Sequence, residues 1–158
     1  MAKSSLTVER VMSKLARALA DLEQQPTPDR TVRARAETLL EHAADMPVAL
    51  LIANGFGRYV DVNALATRLT GFSRAELLRM SVWDLTPTPS AAAGREMWRE
   101  FLRVGRMAGR YTICRKGGGK VRTDFRAWAN VLPGVHVSAL ATPTLLRRPK
   151  APRRRTAR

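Results

Sequence analysis

Leu69-Thr70-Gly71-Phe72-Ser73-Arg74-Ala75-Glu76-Leu77-Leu78 is the stretch on which the fold turns. Gly71-Phe72 separates two short helices, at 63–69 and 74–79. Ser73 is placed to cap the second, and Glu76 follows three residues later, the spacing of a capping box. On the N-terminal side, Pro47 opens a different texture, with the apolar run Val48 to Ala53. Asn54-Gly55-Phe56-Gly57 then reads as a turn rich in residues that accept positive φ. Arg58-Tyr59-Val60-Asp61-Val62 alternates in the manner of a strand, so residues 48–62 form a β-hairpin.

On the C-terminal side, a loop holds Pro87 and Pro89, and Gly94 to Val104 is a longer helix with Met97, Trp98, Phe101 and Leu102 as its apolar stripe. Three strands follow: Arg110 to Arg115, Lys120 to Val131 and Val135 to Ala141, joined by turns at Gly117-Gly118-Gly119 and Pro133-Gly134. In the long strand, Val121, Thr123, Phe125, Ala127 and Ala129 share one face. Trp128 falls on the opposite face with Arg122, Asp124 and Arg126, and an aromatic there implies that the N-terminal helices or a second subunit covers the outer side of the sheet.

Ahead of the hairpin, residues 6–23 read as an amphipathic helix. Val8, Met12, Leu15, Leu19 and Leu22 follow a four, three, four, three spacing close to a coiled-coil seam. Gln24 to Pro28 ends it. Thr27-Pro28-Asp29 has the form of a helix start, and the second helix is expected to reach about Ala43, with Val32, Ala36, Leu39 and Ala43 on one face.

Strands at both ends with helices between predict an α+β fold. The ordered set of segments resembles a PAS domain over residues 45–142. The resemblance is carried by Asp61-Val62-Asn63 closing the hairpin, by residues 69–78, by Ser81-Val82-Trp83-Asp84-Leu85-Thr86-Pro87, and by Gly109-Arg110-Tyr111 leading to Arg115-Lys116-Gly117-Gly118-Gly119. Glycines replace the acid or amide usual in that last turn. The resemblance implies a five-stranded antiparallel sheet with helices over one face and a pocket between them. It also implies a sensory or interaction module of signal transduction, not an enzyme, that acts through a partner protein. The implied pocket draws on Val60, Leu65, Leu69, Trp83, Met97, Trp98, Phe101, Ile113, Phe125 and Val137. Any ligand is expected to be small and apolar, because no buried charge is evident among these residues.

Among the cofactors of such domains, haem and cysteinyl-flavin chemistry are disfavoured. The helix 94–104 holds no histidine, and the segment 81–85 holds no cysteine where the flavin-binding members carry one. His42 precedes the core. His136 alternates away from Val135 and Val137, as a strand histidine on the sheet's other face. Cys114, the only cysteine, excludes an internal disulfide; a structural thiol is the plainer reading, a redox sensor the sharper one. Phosphate-loop, zinc-protease, serine-hydrolase and paired-cysteine motifs are absent. The scattered acids Asp61, Glu76, Asp84, Glu96, Glu100 and Asp124 read as surface ion pairs.

The charge is uneven. The net charge is +15, split as +1 over residues 1–43, +7 over 44–142 and +7 over the last sixteen. Three regions are therefore expected: an N-terminal helical extension at 1–44 whose seam serves a homodimer, the domain at 45–142, and a disordered basic tail at 143–158. Arg147, Arg148, Lys150, Arg153, Arg154 and Arg155 of the tail suit a polyanion, which makes a nucleic-acid-associated transcriptional regulator the alternative function. No stretch approaches the length of a membrane span, and the opening residues lack the apolar region of a secretory signal. A cytoplasmic protein is the expectation.

Overall fold

The computed structural model describes residues 2–24, 31–87 and 89–146. Helices α1 (Ala2–Glu23) and α2 (Val32–His42) precede strands β1 (Ala49–Ala53) and β2 (Tyr59–Val62). Four helices follow, α3 (Ala64–Thr70), α4 (Arg74–Leu77), α5 (Val82–Leu85) and α6 (Ala91–Val104). Strands β3 (Arg106–Cys114), β4 (Lys120–Leu132) and β5 (Val135–Ala141) and the short helix α7 (Pro143–Leu146) complete the chain. The five strands form one antiparallel sheet in the order β2-β1-β5-β4-β3, so the first hairpin lies beside the last strand.

Local chemistry explains the helix boundaries. Asn63 caps α3 by accepting from Ala66 N at 3.0 Å, and the same side chain accepts from Leu50 N at 3.0 Å and donates to Val48 O at 2.9 Å. One amide thus starts a helix and pins it to β1. Gly71 ends α3 in the left-handed region at φ 75°, which a residue without a Cβ adopts at no steric cost. The capping box of Ser73 and Glu76 is present in α4, as the sequence predicts. Glu76 also holds Lys116, so the β3–β4 turn is tied to α4.

The sheet separates two apolar layers. Ala49, Leu51 and Ala53 of β1 face α3–α6, while Leu50 and Ile52 face α1 and α2. The seam of α1 is spent on this second layer. Val8, Met12, Leu15, Leu19 and Leu22 are all buried there, together with Ala36, Leu39 and Ala43 of the α2 face. Trp128 packs against the same layer, so the chain's own helices cover the outer side of the sheet. A dimer through that seam would require α1 to leave the sheet.

Three expectations need correction. Val60 packs into the α1/α2 layer, away from α6. The register of β1 against β2 shifts between Ile52 and Ala53, whose partners are Asp61 and Tyr59. Val60 is the unpaired residue of that bulge, and a bulge breaks strand alternation. Val137 also belongs to the α1/α2 layer, and His136 lies on the α6 side. The alternation of β5 is as read, but both of its faces are buried, so apolar pattern alone does not say which is which. Finally, residues 143–146, expected to be disordered, form α7, with Thr142 Oγ1 accepting from Leu145 N at 3.2 Å. Arg147, Arg148, Lys150, Arg153, Arg154 and Arg155 lie outside the described residues.

Candidate functional site

A cavity of about 120 Å³ opens between the sheet and α5–α6. Its floor is Leu51, Tyr59, Tyr111, Ile113, Phe125, Ala127, Ser138 and Leu140, and its roof is Val82, Trp83, Leu85, Gly94, Met97, Trp98 and Phe101, with Thr86 and Met107 completing the wall. Six of the residues singled out from sequence come together here: Trp83, Met97, Trp98, Phe101, Ile113 and Phe125. Leu65 and Leu69 pack in the same apolar layer without lining the cavity, and Val60 and Val137 are on the far side of the sheet.

The roof is held by specific contacts. Trp98 donates its indole N–H to Gly55 O at 3.1 Å, which ties α6 to the tip of the first hairpin. Its ring stands 5.1 Å from Phe101 and meets His136 edge-on at 5.5 Å. His136 is buried, and its Nδ1 accepts from Asn130 N at 3.0 Å, so the proton of the neutral ring sits on Nε2. Burial holds its pKa below the ordinary imidazole value. The Nδ1 atom is therefore committed to the backbone, and the imidazole serves as a packing element. On the floor, Tyr111 and Phe125 meet edge to face at 5.2 Å.

Few polar atoms reach the cavity. Thr86 Oγ1 donates to Val82 O at 3.1 Å. The Tyr59 phenol is different: among the described residues, no group hydrogen-bonds its hydroxyl. Burial, then the negative charge of Asp84, then Tyr111 hold its pKa well above the usual phenol range. The hydroxyl stays protonated and can donate as well as accept. Ser138 Oγ, on the floor, likewise has no partner among the described residues.

Sequence reading missed Tyr59, Met107, Tyr111, Ser138 and Leu140. For Tyr59, the bulge hides the face. Met107 was missed because β3 begins four residues earlier than expected. Tyr111 and Ser138 share faces with Ile113 and Leu140, a signal that strand parity alone would have supplied once the faces were assigned.

The comparisons with known proteins agree with this architecture. A family model described as the PAS fold matches residues 34–129. The chain belongs to the PAS family. Among solved structures, a domain of the sensory box sensor histidine kinase/response regulator from Geobacter sulfurreducens is 16% identical, with a TM-score of 0.55, over 73% of this chain and 100% of that one. The PAS domain of a Desulfitobacterium hafniense protein is 20% identical, with a TM-score of 0.53, over 61% of this chain and 92% of that one. The PAS domain of the fruit-fly ELK potassium channel is 13% identical, with a TM-score of 0.56, over 69% and 97%. These likenesses show the shared fold. No curated protein matches the chain. As a PAS domain, the chain carries the fold of sensory modules in signal-transduction proteins. Among the described residues, no helix is long and apolar enough to cross a membrane, and no group of three or more His, Cys, Asp or Glu side chains is placed to hold a metal ion.

Proposed function

We propose that this PAS domain is a sensory receiver whose cavity takes one small, mostly apolar molecule bearing a single hydroxyl or carbonyl, and that it passes occupancy to a partner protein. The observation that carries the reading is the Tyr59 hydroxyl, which lines a mostly apolar cavity and has no hydrogen-bond partner among the described residues. An apolar cavity of about 150 Å³ takes a benzene ring, so the volume here suits one ring or a short branched chain. A hydrogen bond between a ligand oxygen and the Tyr59 hydroxyl, which lines the cavity, would add about 0.5–1.5 kcal/mol. Isoleucine-sized alcohols and phenols fit that description better than charged metabolites.

The test is a thermal-shift series with phenol and toluene on the wild type and on Tyr59→Phe. Phenol should raise the melting temperature of the wild type more than toluene does, and Tyr59→Phe should remove the difference. Equal shifts with both probes in both proteins would sink the assignment of Tyr59. No shift with either, together with none in an Ala127→Phe variant that fills the cavity, would sink the receiver.

A second reading rests on charge. The last sixteen residues carry seven cations and no acid, a composition suited to a phosphate backbone. Under it, the chain is a nucleic-acid-associated regulator. Binding to a DNA duplex that weakens steeply with salt and disappears on removal of residues 147–158 is the expected behaviour; salt-independent binding would contradict it.

A further inference from the structure

β3 is the end strand of the sheet. It pairs with β4 along all nine of its residues, from Arg106 against Trp128 to Cys114 against Lys120, and with no other strand among the described residues. Its first five residues are exposed. One row of backbone N–H and C=O groups therefore faces outward, and such an edge is a template for another strand.

The two faces of this edge differ in chemistry. On the outer face stand Arg106, Ala108 and Arg110, beside Arg122 and Arg126 of β4. Residues 106–126 hold seven cationic side chains and one carboxylate, Asp124. Arg110 pairs with Asp124 at 3.7 Å, Lys116 with Glu76, and Arg126 with Glu9. Arg106 and Arg122 have no carboxylate partner among the described residues. The inner face is apolar. Met107 is 39% exposed there, and Val104, at the end of α6 just before the strand, is 54% exposed.

We infer that the β3 edge docks an extended segment of a partner protein in which acidic and apolar residues alternate. Added as a sixth strand, that segment places its carboxylates over Arg106 and Arg110 and its apolar side chains against Met107 and the end of α6. Strand addition supplies affinity through the main chain and selects alternate side chains. A second copy of this chain does not fit: antiparallel β3–β3 pairing centred on Ala108 sets Arg106 against the other copy's Arg110, and like charges directly opposite destabilise a sheet. The arginines that protect the edge from self-association are the ones that favour an acidic strand. The inference stands whether or not the cavity holds a ligand.

The experiment uses the full chain and three labelled peptides: eight residues alternating Glu and Val, the same composition as a block of four Glu and a block of four Val, and eight residues alternating Lys and Val. Fluorescence anisotropy gives affinity, and amide hydrogen exchange gives the site. The alternating acidic peptide should bind more tightly than the block peptide and slow exchange at alternate residues of 106–112, and the Lys-Val peptide should not bind. R106E/R110E should weaken the acidic peptide by about tenfold or more, the equivalent of about 1.4 kcal/mol. Should that variant fail to fold, Ala108→Lys gives the opposite reading, tighter binding of the acidic peptide. Equal binding of the block peptide, protection outside β3, or displacement by single-stranded DNA with β3 amides unaffected would overturn the inference, because each reports attraction by charge alone.

Discussion

Gly94 of α6 lies so close to Trp83 of α5 that a Cβ built on the glycine would sit 2.2 Å from the Cβ of the tryptophan. The tryptophan Cβ is fixed to its own helix and cannot swing aside. Both residues line the cavity, so the absence of one side chain sets the spacing of its roof. Gly94→Ala should therefore cost about 1–3 kcal/mol, the usual cost of overpacking, although alanine is the better helix former. Urea denaturation checks it. A variant as stable as the wild type would mean that α5 and α6 are not held this close.

Leu15 is completely buried between α1 and the outer side of the sheet. Leu15→Ala should lower stability by about 2–5 kcal/mol, as for other buried leucines. Because the seam is satisfied within one chain, the urea midpoint should not change between low and high micromolar protein. A midpoint that rises with concentration would show that the seam joins two chains instead.

His136 gives a pH dependence of known sign. Burial lowers its folded-state pKa below the ordinary value of 6.5. As pH falls through 6.5, the unfolded chain takes up the proton first. Its contribution is therefore intact above that value, declines below it, and stops declining once the folded imidazole also protonates. Protonation removes the acceptor for Asn130 N as well. Melting temperatures between about pH 7 and pH 5 should fall more for the wild type than for His136→Gln. Identical slopes would show that the imidazole titrates as freely folded as unfolded.

The Trp98–Gly55 hydrogen bond is a polar tie between α6 and the first hairpin tip. Trp98→Phe keeps an aromatic ring but loses the donor. The variant should lose about 0.5–1.5 kcal/mol and show faster amide exchange at residues 54–58. Exchange unchanged at the tip would mean that the turn is held without Trp98, by Asn54 Oδ1, which accepts from Phe56 N and Arg58 N, and by Val82 N, which donates to Gly57 O at 2.8 Å.

Much of this was legible in the residues. Glycine, capping box and turn signals mark local structure, and Gly71, Ser73 and Asn63 do what their chemistry dictates. The roof of the cavity was legible because α6 has one polar and one apolar side, which places Trp98 and Phe101 without ambiguity. The floor was not. A strand buried on both faces gives no sign of which face meets which helices, so Val137 and His136 exchanged places. The bulge at Val60 depends on pairing with a distant strand, and no local residue announces it. The α1 seam illustrates the same limit: the spacing of Leu15 and Leu19 says that something apolar lies opposite, and the sheet, not a twin helix, is what lies there.

Leu50 and Leu51 are neighbours in the chain, one pressed against α1–α2 and the other against the cavity. A single peptide unit thus stands between the molecule's two interiors. A probe set in the N-terminal helix pair would therefore test whether a displacement of the tryptophan roof is felt across that one strand.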